Sequence, residues 1–139
     1  MTDDDTRATV NALYDAYERR DLERVSALIH DDIDWVIYGP VNVFPFVGAR
    51  RGRAAVLQAL AGIAEAFALE TYRPEIIIVE GDRAAVMSDV RFTQRGTNRL
   101  LHFSVANFLR FGDGRLIEFR EFSNTFDVVQ QVLGQELNI

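Results

Sequence analysis

The stretch LLHFSVANFLRFGDGRLIEFREF, residues 100–122, constrains the fold more than any other part of the chain. Two apolar-rich runs flank Gly112-Asp113-Gly114, a short glycine-bearing loop of the kind that closes a β-hairpin. Read as a three-residue loop, it pairs Phe111 with Arg115. Leu109 then meets Ile117, Asn107 meets Phe119 and Val105 meets Glu121. Because side chains alternate across a strand, one face carries Phe103, Val105, Asn107, Leu109, Ile117, Phe119 and Glu121. The other carries His102, Ser104, Ala106, Phe108, Arg110, Glu118, Arg120 and Phe122. The first face is apolar apart from a carboxamide and a carboxylate. Carboxylates are seldom buried without a partner, so Asn107 and Glu121 are the first candidates for function.

Upstream of the hairpin the chain reads as helices followed by strands. Val10, Leu13, Tyr14 and Tyr17 fall at the spacing of one helical face within residues 6–19. Asp21 can cap a second short helix, DLERVSALI, with Leu22, Val25, Leu28 and Ile29 turned inward. Asp31-Asp32 marks a turn, and residues 34–38 form a short strand with Trp35 and Ile37 on one side. Residues 39–52 are irregular and contain two prolines and three glycines. Their Val41, Val43, Phe44, Phe46 and Val47 suit a packed lid rather than a solvated linker. Residues 53–67 predict a third helix facing inward through Val56, Leu60, Ile63 and Phe67. Strands follow at 69–79, where Pro74 requires an edge or a bulge, and at 84–94. Asn124 or Thr125 can cap a closing helix that buries Val128, Val129, Val132 and Leu133 and stops at Gly134.

Helices first and a strand meander afterwards is an α+β pattern, with three helices packed on a strongly curved antiparallel sheet. Such a sheet closes into a cone with an internal cavity, which predicts an apolar pocket carrying a few inward polar groups. With 139 residues and no internal repeat, one domain over residues 1–139 is expected. Net charge is −6 and the basic residues do not cluster beyond Arg50, Arg51 and Arg53, which excludes a nucleic-acid partner. His30 and His102 lie far apart and cysteine is absent, so no metal or cofactor is expected. No apolar run is long enough for a membrane span, and the acidic amino terminus does not match a signal peptide, so a cytoplasmic location is expected.

The order of LYDAYERRDLERVSALIHDDIDWVIYGP, GARRGRAAV and FLRFGDGRLIEFREFSNT resembles the nuclear-transport-factor-2-like (cystatin-like) superfamily. Within it, the chain is similar to SnoaL-like polyketide cyclases and ketosteroid isomerase-related proteins. The resemblance implies a cofactor-independent isomerase, cyclase or lyase that moves a proton on a hydrophobic carbonyl or polyketide-like compound. Steroid isomerases place a carboxylate base on the first strand; the matching position here is Ile37, so that base is missing. Tyr14 falls within one position of their oxyanion tyrosine, and Asn107 matches their neutral acid. Phe119-Arg120-Glu121-Phe122 occupies the place of the W-R-D-Y run of limonene-type epoxide hydrolases. Their remaining arginine and aspartate match only Asp89 and Arg91, in reversed order.

These readings give Glu121, Asn107 and Tyr14 as catalytic candidates, with Trp35, Ile37, Phe44, Phe46, Phe67, Val105 and Phe119 around a small hydrophobic ligand. Each has a plainer counterpart: Glu121 as the partner of an arginine, Asn107 as a satisfier of backbone groups, and Tyr14 and Tyr17 as core aromatics. Asp89, Arg91 and His102 are expected on the outer face. Phe108 and Phe122 on that face predict a homodimer seam. The rival functions are a non-catalytic ligand-binding module and a dimeric assembly module.

Overall fold

Thr2 starts the first helix because its side chain accepts from the Asp5 backbone N–H while Asp5 reaches back to the Thr2 backbone. This capping box extends α1 over Asp3–Glu18, three residues earlier than the apolar spacing indicates. Asp21 caps α2 (Leu22–Ala27) through the Arg24 N–H, as expected. The computed structural model describes residues 1–138, and its remaining elements are β1 (Ile29–Ile37), β2 (Gly48–Arg51), α3 (Arg53–Ala66), β3 (Phe67–Glu80), β4 (Arg83–Gln94), β5 (Leu100–Gly112), β6 (Arg115–Ser123) and α4 (Thr125–Leu133). The class is the expected α+β, with four helices on one curled six-stranded sheet ordered β2-β1-β6-β5-β4-β3.

Several details depart from the sequence reading. The sheet is not wholly antiparallel, because β1 pairs with β6 in parallel. The intervening α3 and four strands return the chain to β1 in its own direction. β1 begins at Ile29, so Asp31 and Asp32 lie within a strand rather than a turn. Its irregular register between Ile29 and Asp34 accommodates them. Arg53 braces the stretch by donating to the Ile29 carbonyl at 2.6 Å and pairing with Asp31. The irregular segment after β1 ends in a short strand, β2. Phe67 opens β3 instead of closing α3, and α4 keeps Val128, Val129 and Val132 half-buried while Leu133 is exposed. Pro74 satisfies both of its alternatives, since β3 is an edge strand and its register shifts between Pro74 and Ile76.

The hairpin is tighter than expected. Asp113 and Gly114 alone form the loop, at φ 54° and 74°, the left-handed pair that two-residue hairpins favour. Gly112 meets Arg115 and Phe111 meets Leu116. Ile117 is then left over as a bulge before Arg110 meets Glu118. A two-residue loop alone would put odd residues opposite even ones; the bulge restores the odd face. The expected pairs are therefore displaced. Leu109 meets Phe119, and Asn107 stands directly opposite Glu121 rather than diagonal to it. Leu116, not Ile117, turns inward.

Where β6 ends, α4 takes over the edge of β5. The Gln131 amide accepts from the His102 N–H at 2.8 Å and donates to the His102 carbonyl at 2.9 Å, as a neighbouring strand would. This places α4 over the open end of the cone, against residues of the concave sheet face.

Candidate active site

The concave face of the sheet, α1, α3, α4 and the segment after β1 surround a partly open cavity of about 140 Å³. Its walls are aromatic. Trp35 and Phe119 neighbour each other across the parallel β1–β6 pair and stack with centroids 4.0 Å apart. Phe44 lies 5.7 Å from Phe46, and Phe46 meets Phe67 edge-on at 6.0 Å. Ile37 and Val105 complete the set of wall residues expected from sequence; all seven line the cavity, as do Tyr14 and Glu121. Phe44 and Val47 are buried, whereas Val41 and Val43 of the same segment are exposed. Only part of that segment is a wall.

One polar network is built into this apolar chamber. Asn107, fully buried, donates from Nδ2 to Glu121 Oε1 at 3.0 Å. Its Oδ1 accepts the Tyr14 hydroxyl at 2.6 Å. Tyr72 gives its hydroxyl proton to Glu121 Oε1 at 2.7 Å and lies 3.3 Å from Asn107 Oδ1. Glu121 Oε1 thus receives two donors. Oε2 receives none among the described residues, on a side chain that lines the cavity.

The carboxyl has no cationic partner among the described residues. Arg120 lies on the other side of the sheet, paired with Asp34 at 3.2 Å, and Arg91 pairs with Asp89 at 3.4 Å. Burial pushes the Glu121 carboxyl above its ordinary value, against the hydrogen bonds from Tyr72 and Asn107, which act to lower it. Burial, and then the Glu121 charge, also raise the Tyr14, Tyr17 and Tyr72 phenols. These hydroxyls therefore stay protonated at neutral pH and serve as donors.

Two sequence expectations change here. Asn107 is not part of the cavity wall; it sits behind Glu121 and holds it. Tyr14 does line the cavity, but its proton is committed to Asn107. Tyr72 was not legible in the sequence. Counting alternation from the inward Phe67 and Leu69 points Thr71 inward. A bulge between Leu69 and Thr71 turns Tyr72 inward instead. As expected, Asp89, Arg91 and His102 lie outside, with His102 Nε2 2.5 Å from Asp89 Oδ1. That contact holds the Asp89 carboxyl below its usual range. Among the described residues no cluster of three or more His, Asp or Glu side chains is arranged to hold a metal ion, and no helix is long and apolar enough to cross a membrane.

The profile of the SnoaL-like domain family matches residues 10–119. Among solved structures, a candidate isomerase from Rhodopseudomonas palustris is 40% identical, with a TM-score of 0.84 over 97% of this chain and 100% of the other. An NTF2-like protein of unknown function from Burkholderia pseudomallei K96243 is 22% identical, with a TM-score of 0.85 over 95% and 98%. An LEH-like epoxide hydrolase of M. tuberculosis is 18% identical, with a TM-score of 0.73 over 94% and 90%. The latter two likenesses concern the fold. No curated protein matches the chain.

Proposed function

The chain belongs to the SnoaL-like domain family, and on that premise we propose that it is a cofactor-independent enzyme that moves a proton on a small hydrophobic carbonyl compound, with Glu121 as the base. The observation that carries this reading is the asymmetry of the Glu121 carboxyl. Oε1 is tethered by Tyr72 and Asn107, while Oε2 has no protein donor on a side chain that lines an apolar cavity. A carboxylate fixed in that way has one oxygen free to take a proton. Burial without a cation brings its affinity for that proton closer to neutral pH.

The step is simple. Oε2 takes a proton from the carbon next to the substrate carbonyl, and the C–H bonding pair moves to the carbonyl oxygen as an enolate. Returning the proton to the same carbon exchanges it. Where the substrate carries a β,γ double bond, the enolate is a dienolate, and returning the proton to its γ-carbon shifts the double bond into conjugation without net oxidation. The test is α-proton exchange of cyclohexanone in D2O, followed by mass spectrometry, with wild type and Glu121→Gln. Exchange by the wild type that the variant reduces at least a hundredfold supports the reading; equal exchange by both removes Glu121 from the chemistry.

An epoxide hydrolase fits the geometry less well. Asp89 and Arg91, the matches to its other two polar residues, lie on the outer face away from the cavity. The outer face supports an assembly role alongside the enzymatic one. Ile76, Met87, Ala106 and Phe122 run across it in register, with Ile76 50%, Met87 42% and Phe122 46% exposed. Tyr38 stacks on Phe122 at 4.6 Å and Phe108 meets it edge-on. Such an apolar row suits a second copy of the same chain, giving a homodimer.

A further inference from the structure

We propose that Tyr17 is the residue that holds the substrate oxygen, and that the cavity takes a compound of a single ring bearing one carbonyl. The inference rests on the proton-transfer reading of the same site and adds the identity of the donor and the size of the substrate.

A carbonyl that gains charge during proton transfer needs a donor aimed at it. Tyr14 and Tyr72 both line the cavity, but their protons are committed to Asn107 and Glu121. The indole N–H of Trp35 has no partner among the described residues, yet it is buried with almost no accessible surface. Tyr17 differs from all three. It lies one helical turn beyond Tyr14, lines the cavity, and its hydroxyl has no hydrogen-bond partner among the described residues. Unlike the indole N–H, that hydroxyl is not among the fully buried polar atoms without a partner. Its ring meets Tyr72 edge-on at 5.2 Å, and Tyr72 donates to Glu121, so a single ring separates the Tyr17 side chain from the base. The coupling of its phenol to the Glu121 charge is the electrostatic sign of the same neighbourhood. Ser123 and Thr125 also belong to the lining, where β6 gives way to α4.

Size sets the second half of the proposal. A cavity of about 140 Å³ is close to the roughly 150 Å³ apolar cavity that accepts benzene. That space suits a six- to eight-carbon ring compound better than a fused ring system. The aromatic walls supply most of the apolar contact, and Tyr17 supplies the contact that selects an acceptor.

Trp35 is the only tryptophan of the chain, so its emission reports occupancy of the cavity directly. The probes are cyclohexanone, methylcyclohexane and 2-decalone, titrated against wild type, Tyr17→Phe and Ser123→Ala, with thermal melts to verify folding. Tyr17→Phe should weaken cyclohexanone about 3- to 10-fold and leave methylcyclohexane unchanged, the loss of one neutral hydrogen bond. Ser123→Ala should change neither, and 2-decalone should bind more weakly than cyclohexanone. The proposal is overturned if cyclohexanone does not bind, if Tyr17→Phe binds it as wild type does, if Ser123→Ala takes the loss instead, or if 2-decalone binds more tightly. α-Proton exchange separates this from the role of Glu121. A Tyr17-dependent affinity without exchange sinks the base, whereas exchange unaffected by Tyr17→Phe sinks the donor.

Discussion

Replacing Glu121 with glutamine should stabilise the protein at neutral pH, which is the opposite of what breaking a structural ion pair does. Glutamine keeps an oxygen for Tyr72 and Asn107, so both donors remain satisfied. What the substitution removes is the cost of keeping a charge in an apolar chamber with no cation beside it. The native carboxyl holds its proton to higher pH than the same group in the unfolded chain. Between those two midpoints the native state binds more protons, so wild-type stability falls as pH rises through that window and levels off above it. Each pH unit of elevation costs the wild type about 1.4 kcal/mol at neutral pH, and the variant recovers that amount. Two hydrogen bonds to a charged acceptor, about 1.5–3 kcal/mol each, already offset part of the burial cost, so the gain is confined to a few kcal/mol. Urea unfolding of both proteins at pH 4 and pH 7 reads this directly. The two curves should converge at the lower pH and separate at the higher, with the variant more stable. A variant less stable than wild type at pH 7 would show that Glu121 is held by a charge partner and would refute the reasoning.

Tyr72→Phe removes a donor to Glu121 Oε1 and should move the carboxyl midpoint further upward, by roughly one to two pH units in a ¹³C titration; an unmoved midpoint would place the Tyr72 proton elsewhere. Phe119→Ala, at a 6% exposed position, should cost about 3 kcal/mol in denaturant unfolding, near the lower end for a buried phenylalanine because one side of the ring already faces the cavity. The same change should shift Trp35 emission, since the two rings stack at 4.0 Å. Phe122→Glu should convert dimers to monomers in light scattering, because two facing charges in an apolar seam are costly to desolvate. A dimer that survives it is assembled through another surface.

The architecture was legible in the sequence because its signals are local. The helical spacing of Val10, Leu13 and Tyr14, the caps at Asp21 and Asn124, and the alternation from Phe103 to Leu109 each specify one element, and each element formed. The wall of the cavity followed from the same alternation, since inward positions of a curved sheet converge on its concave side. What escaped was register. Bulges near Glu70 and at Ile117 each insert one residue whose presence depends on packing across the sheet, not on the residues themselves. The first turned Tyr72 inward, and the second set Asn107 opposite Glu121. The roles of Tyr14 and Tyr17 were not separable by sequence either. Both lie on the inner side of α1, and only the partner of each hydroxyl distinguishes a proton committed to Asn107 from one left for a ligand.

Glu121 is central to the proposed chemistry as a buried carboxyl without a cationic partner and with one oxygen free for proton transfer. Its most direct test is the ¹³C carboxyl titration of protein labelled at glutamate, with Glu121→Gln used to assign the Glu121 resonance. A midpoint clearly above that of ordinary glutamates, unchanged by Arg120→Gln or Arg91→Gln, is the predicted result. A midpoint at or below the ordinary glutamate value, or one that rises when either arginine is removed, would contradict it.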